Sequence, residues 1–148
     1  MIELQVAGRG GVSNDAVAAA LNVTSVSAPA PGFLTLYACG EDRPNSSHLN
    51  YLGGNVVANL AVVPLDADGK VCIYASSASH VIVDAAGSFP TSSNYGPQAP
   101  ARFLDTRADG ATFDGLTEGI GRVAGGSVVH VPVADRGAIP ADATAVVV

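Results

Sequence analysis

The chain has 148 residues, enough for one domain with a single sizeable core, and only 14% are charged against roughly 25% in an ordinary globular domain. Its net charge is −6, and the six arginines, Arg9, Arg43, Arg102, Arg107, Arg122 and Arg136, build no basic patch with the single Lys70, which argues against a nucleic acid partner. No apolar run approaches the ~18 residues of a membrane span; the longest, Val56 to Leu65, already contains Asn59 and Pro64, so no membrane insertion is expected.

Met1 leads straight into a strand pattern, Ile2 to Val6, so no signal peptide is expected in these residues. A Gly-rich turn follows, Val6-Ala7-Gly8-Arg9-Gly10-Gly11-Val12. Asp15 to Leu21 is alanine-rich and leans towards helix. A later stretch of the same character, Asp142 to Val148, is β-branched instead, so both are read as strands.

Phe33 to Cys39 follows the turn signal Pro29-Ala-Pro31-Gly32 and reads as a strand. His48 to Tyr51 and Asn55 to Leu65 read likewise, separated by Gly53-Gly54. Asp66-Ala-Asp68-Gly69 is a hairpin signal before the strand Lys70 to Ala75. It lacks the later glutamate and the full Asp/Asn series of a Ca²⁺ loop. His80 to Gly87 is the next strand.

Residues 90–100 hold three prolines and no periodicity, so they read as a linker or long loop. Arg102 to Thr106 reads as a strand, residues 108–126 with six glycines as loop, and Val128 to Val133 and Thr144 to Val148 as strands. Eight to ten short strands without helices predict an all-β fold, an antiparallel sandwich or barrel.

The chain ends as it begins. Val133-Ala134-Asp135-Arg136-Gly137-Ala138-Ile139 repeats the first turn, with the arginines at 9 and 136, 127 residues apart. Similar strands flank both copies. Such a chain looks cut from a tandem array or built to join head to tail. The expected organisation is residues 1–89 as the back part of one repeat and 101–148 as the front part of the next, packed as one domain or exchanged with a neighbour. The apolar end, Thr144, Ala145, Val146, Val147 and Val148, is the expected exchanged strand.

Several motifs together resemble a repeat. They are Leu21-Asn-Val-Thr24, Pro31-Gly-Phe-Leu-Thr-Leu-Tyr37, Arg43-Pro-Asn45, His48-Leu-Asn-Tyr51, Asp68-Gly-Lys-Val71, Val83-Asp84 with Gly87-Ser-Phe89, and Arg102-Phe-Leu-Asp-Thr-Arg107. In this order they are similar to the tandem all-β module of secreted and surface actinobacterial proteins, over nearly the whole chain. The order is rotated: such repeats usually run from the Leu-Asp-Thr-Arg motif to the Val-Asp-x-x-Gly-x-Phe motif. The resemblance implies a modular role outside the cell or on its surface, and no particular activity.

Cys39 and Cys72 each fall in an expected strand. They are two buried thiols or one bridge; the resemblance to secreted proteins favours the bridge, which would stabilise by roughly 2–4 kcal/mol. Arg102, Asp105 and Arg107 form a charged set whose carboxylate is either an internal ion-pair partner or a sugar ligand, and Asp84 at the end of an apolar strand is a buried carboxylate needing a partner. Arg9 and Arg136 recur in equivalent turns, where a guanidinium bonds loop carbonyls. His48, His80 and His130 have no metal-ligand spacing, no catalytic constellation is present, and no cofactor is implied. The expected function is a non-enzymatic structural or adhesive module that partners itself in a filament. The alternative is a carbohydrate-binding module of a secreted hydrolase that meets a cell-surface glycan.

Overall fold

Strand periodicity in the first two thirds of the chain is strong enough to set the fold. A computed structural model describes residues 1–148 and divides them into two compact units, Met1–Ala99 and Pro100–Val148.

Unit 1 holds seven strands: β1 (Ile2–Gln5), β2 (Ala16–Val26), β3 (Gly32–Ala38), β4 (Leu49–Tyr51), β5 (Val57–Pro64), β6 (Lys70–Ala75) and β7 (His80–Pro90). They form two antiparallel sheets, β1-β6-β3-β4 and β5-β2-β7, in the manner of a sandwich. The alanine-rich run at 15–21 is strand, as its β-branched counterpart indicated. Local propensity yields because β2 is the central strand of its sheet, bonded along its length by β5 and β7.

The core lies between the sheets. Leu21 and Val23 of β2, Leu34 and Leu36 of β3, Val63 of β5 and Val71 of β6 are all fully buried within it. Truncating one of the leucines to alanine would cost about 2–5 kcal/mol. β2 changes which face it buries part-way along. Its register with β7 shifts between Ala16 and Ala18 and again between Ala20 and Leu21. The first puts the extra residue on β2 and turns Ala19, Leu21 and Val23 towards the core, where strict alternation from Ala16 would have placed even-numbered residues; the second puts it on β7.

The Asp66–Lys70 turn is a plain hairpin. Asp66 Oδ1 accepts from the backbone N–H groups of Asp68 at 2.9 Å and Lys70 at 2.7 Å, and Gly69 sits at φ +75°.

Unit 2 departs from the expected pattern. The strands expected at Arg102–Thr106, Val128–Val133 and Thr144–Val148 do not form, which leaves seven strands in place of eight to ten. Unit 2 has isolated bridges only, Asp105 with Glu118 and Arg136 with Ile139. The reason is partnership. Residues 129–132 correspond to β1, which is held by β6, and residues 143–148 correspond to the start of β2, which is held by β5 and β7. Pro100–Val148 contains no counterpart of β5, β6 or β7, and an apolar segment without a ladder to join is not a strand.

Candidate functional site

The duplicated turn is the feature with the most geometry behind it. In the first copy the backbone N–H of Val12 donates to Arg9 O at 2.9 Å; in the second, Ile139 N–H donates to Arg136 O at 3.1 Å. Ala16 N–H donates to Ser13 O at 3.3 Å, and Ala143 N–H to Pro140 O at 3.1 Å. Each arginine donates to the carbonyl four residues earlier: Arg9 Nη1 to Gln5 O at 3.0 Å, Arg136 Nη1 to Pro132 O at 2.6 Å. Left-handed backbone recurs too, at Gly8 (φ +76°) and Asp135 (φ +58°), then at Gly10 (φ +57°) and Gly137 (φ +58°). Aspartate tolerates this region better than most side chains, so the turn survives the change from Gly8 to Asp135. Both copies bury the aliphatic residue that closes the turn, Val12 and Ile139.

The surroundings of the two arginines differ. Arg136 is buried. Its Nε donates to Asp114 Oδ2 and its Nη2 to Asp114 Oδ1, both at 2.8 Å. This two-pronged pairing matches the fork of a guanidinium to a carboxylate. The same guanidinium lies 4.7 Å from the ring centre of Phe103 and 5.6 Å from that of Phe113, and the two rings are 4.9 Å apart. The hydrogen bonds from Arg136 pull the Asp114 pKa down from its ordinary value to about 2, and Asp114 in turn raises that of Arg136. Phe103, Phe113 and Asp114 thus form a clamp around the turn.

Arg9 has no such clamp. It is exposed, bonds only the Gln5 carbonyl, and faces an open cavity of about 210 Å³ lined by Leu4, Val6, Val12, Leu21 and Val83. That volume falls short of the roughly 300–1,000 Å³ of small-molecule sites.

The chain matches no known family model, no curated protein and no solved structure. Its own internal repeat is therefore the comparison that bears on function.

The second charged set is self-contained. Asp105 is buried and bonded by Arg107 Nη2 at 2.6 Å, Arg107 Nε at 2.9 Å, the Arg107 backbone N–H at 3.2 Å and Arg102 Nη1 at 3.3 Å. Hydrogen bonds from Arg107 are the largest cause holding its carboxyl well below the usual range. Asp105 backbone N–H and C=O also bond Thr117 O and Gly119 N–H, which ties residues 102–107 to the Gly-rich loop. The carboxylate faces the chain's own donors, the arrangement of an internal ion pair. Asp84 does not belong to this set. It lies on β7 of unit 1, exposed and opposite Asn22, contrary to the expectation of burial. Its side chain points to the solvent side of the sheet, because β7 alternates and Val83 takes the inward position.

Cys39 and Cys72 are bonded, joining the end of β3 to β6 across a separation of 33 residues. Four aromatic rings of unit 1 are engaged in pairs, Phe33 with Tyr74 and Phe89 with Tyr95, and Arg43 stacks on Tyr74. Val146 and Val148 are exposed, while their first-copy counterparts Ala19 and Leu21 are buried in β2.

The sequence reading found both arginines but missed Phe103, Phe113 and Asp114 as their partners. One signal was present. A turn arginine flanked by Val133, Ala134, Ala138 and Ile139 is liable to burial, and a buried guanidinium needs a carboxylate.

Proposed function

We propose that this chain is a non-enzymatic structural module of the extracellular space or cell surface, joining head to tail with further copies in a fibre or repeat array. The observation that carries the reading is the duplicated strand–turn–strand unit. Two segments 127 residues apart adopt the same turn, yet only the first has its flanking strands paired. The second carries the apolar residues of a strand with no sheet to join. Added strands draw affinity from main-chain hydrogen bonds and specificity from alternating side chains. A contact of this kind that does not close on itself builds a filament.

The Cys39–Cys72 bridge is compatible with an oxidising location, which supports the placement outside the cytosol. The low charge of the chain suits a surface covered by neighbouring copies. The resemblance to tandem modules of secreted actinobacterial proteins agrees with this reading. Negative-stain electron microscopy and sedimentation over a wide concentration range test it. Filaments or a ladder of oligomers are the expected result; a monomer at all concentrations overturns it.

A further inference from the structure

We propose that the Phe103–Phe113–Asp114 clamp of one copy takes the Arg9 turn of a second copy in place of its own Arg136 turn. The proposal rests on the head-to-tail reading and names the surfaces of its joint.

Three observations lead to it. First, the two turns share their central backbone features: the hydrogen bond that closes each on its arginine carbonyl, the arginine-to-carbonyl contact four residues back, and left-handed residues at 8 and 10 and at 135 and 137. What the clamp holds is an arginine projected from this turn, with the glycine after it against the two rings. Both copies supply an arginine followed by a left-handed glycine, Arg9-Gly10 and Arg136-Gly137. Second, only one turn is clamped. Arg136 is bonded twice by Asp114 and lies against two phenylalanine rings, whereas Arg9 is exposed and has no carboxylate partner. Third, the space beside Arg9 has the character of the clamp's missing half. An apolar cavity of about 210 Å³ opens next to the guanidinium, where phenylalanine side chains would be desolvated and the Asp114 carboxylate would meet an unpaired cation.

The consequence is competition. The chain's own Arg136 turn is tethered to the clamp and so acts at high effective concentration. A second copy's Arg9 turn displaces it only when copies are crowded. Displacement releases the Arg136 turn from the clamp, and the apolar end beyond it, already exposed in Val146, Val147 and Val148, joins a neighbouring sheet. The self-clamped chain is the stored form and the exchanged chain the joined one.

The test is sedimentation velocity on the full chain and three variants. Arg9→Ala and Asp114→Ala should each abolish association. Arg136→Ala removes the tethered competitor and should lower the concentration needed for association by roughly 10²-fold. A merely structural role for Arg136 would weaken association or leave it alone. Should Arg136→Ala unfold unit 2, Arg9→Lys decides with the clamp intact. Carbodiimide couples the introduced amine to the Asp114 carboxylate as an amide with loss of water. In a mixture of ¹⁴N- and ¹⁵N-labelled chains the coupled peptides should carry mixed labels. Association that persists in Arg9→Ala and Asp114→Ala overturns this joint and leaves the head-to-tail reading standing. Coupled peptides with unmixed labels place the contact within one chain and overturn the exchange. No association in any variant overturns both.

Discussion

Arg136 donates to both carboxylate oxygens of Asp114 at 2.8 Å, across 22 residues of chain that contain no regular strand. In a unit without a β ladder, such a contact closes the loop that a sheet would otherwise close. Asp114 also accepts the backbone N–H of Leu116 at 3.1 Å, so the pair fixes the Phe113–Leu116 turn as well as its partner.

Acid should loosen unit 2 first through Asp114. Its carboxyl titrates at about 2 in the folded chain against an ordinary 3.8. A depressed carboxyl contributes stability above its unfolded pKa and loses it as pH falls through the folded value. Protection of the Phe113 and Ile139 amides, relative to the intrinsic exchange rate at each pH, should therefore be high above about pH 4 and fall towards pH 2. Asp114→Asn should reduce this pH dependence and leave the part that Asp105 contributes. A flat profile in the unaltered chain would contradict the argument.

Reduction of the Cys39–Cys72 bridge should destabilise unit 1. Closing a loop of 33 residues corresponds to about 3–4 kcal/mol of chain entropy. For a unit of this size the melting temperature should fall by roughly 10–25 °C in Cys39→Ser/Cys72→Ser. Calorimetry with and without reductant checks this, and the double variant should show no response to reductant.

His48 should make unit 1 sensitive to mild acid. Its backbone N–H donates to Leu34 O at 2.9 Å, and its Nδ1 accepts the N–H of Leu36 at 3.1 Å. The ring thus continues the β3–β4 edge where the backbone ladder stops. Burial lowers its pKa below 6.5, so the neutral ring is the native form. A base held neutral by folding lends its full stability above the unfolded pKa and loses part of it as pH falls towards the folded value. The melting temperature should decline below about pH 6.5, and His48→Gln should flatten that decline.

Gly69→Ala should be among the most damaging single changes. Gly69 has φ +75°, and an added Cβ would overlap the Ala7 side chain. Gly69 O also accepts the N–H groups of both Val6 and Ala7 at 3.0 Å, so the turn cannot move away without breaking them. A cost of roughly 1–3 kcal/mol from backbone strain alone is expected, with the overlap adding to it. Urea unfolding would measure it; a change under ~0.5 kcal/mol would show that the turn relaxes freely.

Deleting residues 141–148 should abolish assembly and leave unit 1 folded. The segment is largely exposed and forms no strand within its own chain. Persistence of filaments after the deletion would place the joint elsewhere.

Much of unit 1 was legible in the sequence. The turn signal before Phe33–Cys39 and the Asp68-Gly69 turn each reflect a local rule, and each strand had a partner within reach. Even the alanine-rich run at 15–21 could be read correctly, because its second copy carries β-branched residues at the same places. The bulge that brings Leu21 and Val23 to the core was not legible, since it depends on the register against β7.

Unit 2 marks the boundary between what the sequence determined by itself and what tertiary structure decided. The sequence determined the centre of the turn: the arginine, two left-handed positions and a buried aliphatic residue recur, and in both copies that residue's N–H donates to the arginine carbonyl. It also determined which residues are strand-competent. Whether Val129–Pro132 and Thr144–Val148 become strands was decided by tertiary structure, as was the choice of Asp114 over other carboxylates for Arg136. Periodicity fixes which face of a segment is apolar, but a strand's backbone groups are satisfied only by a neighbouring ladder, and a buried guanidinium only by a carboxylate at the right distance. Both partners come from elsewhere in space, so neither is written in the segment that needs them.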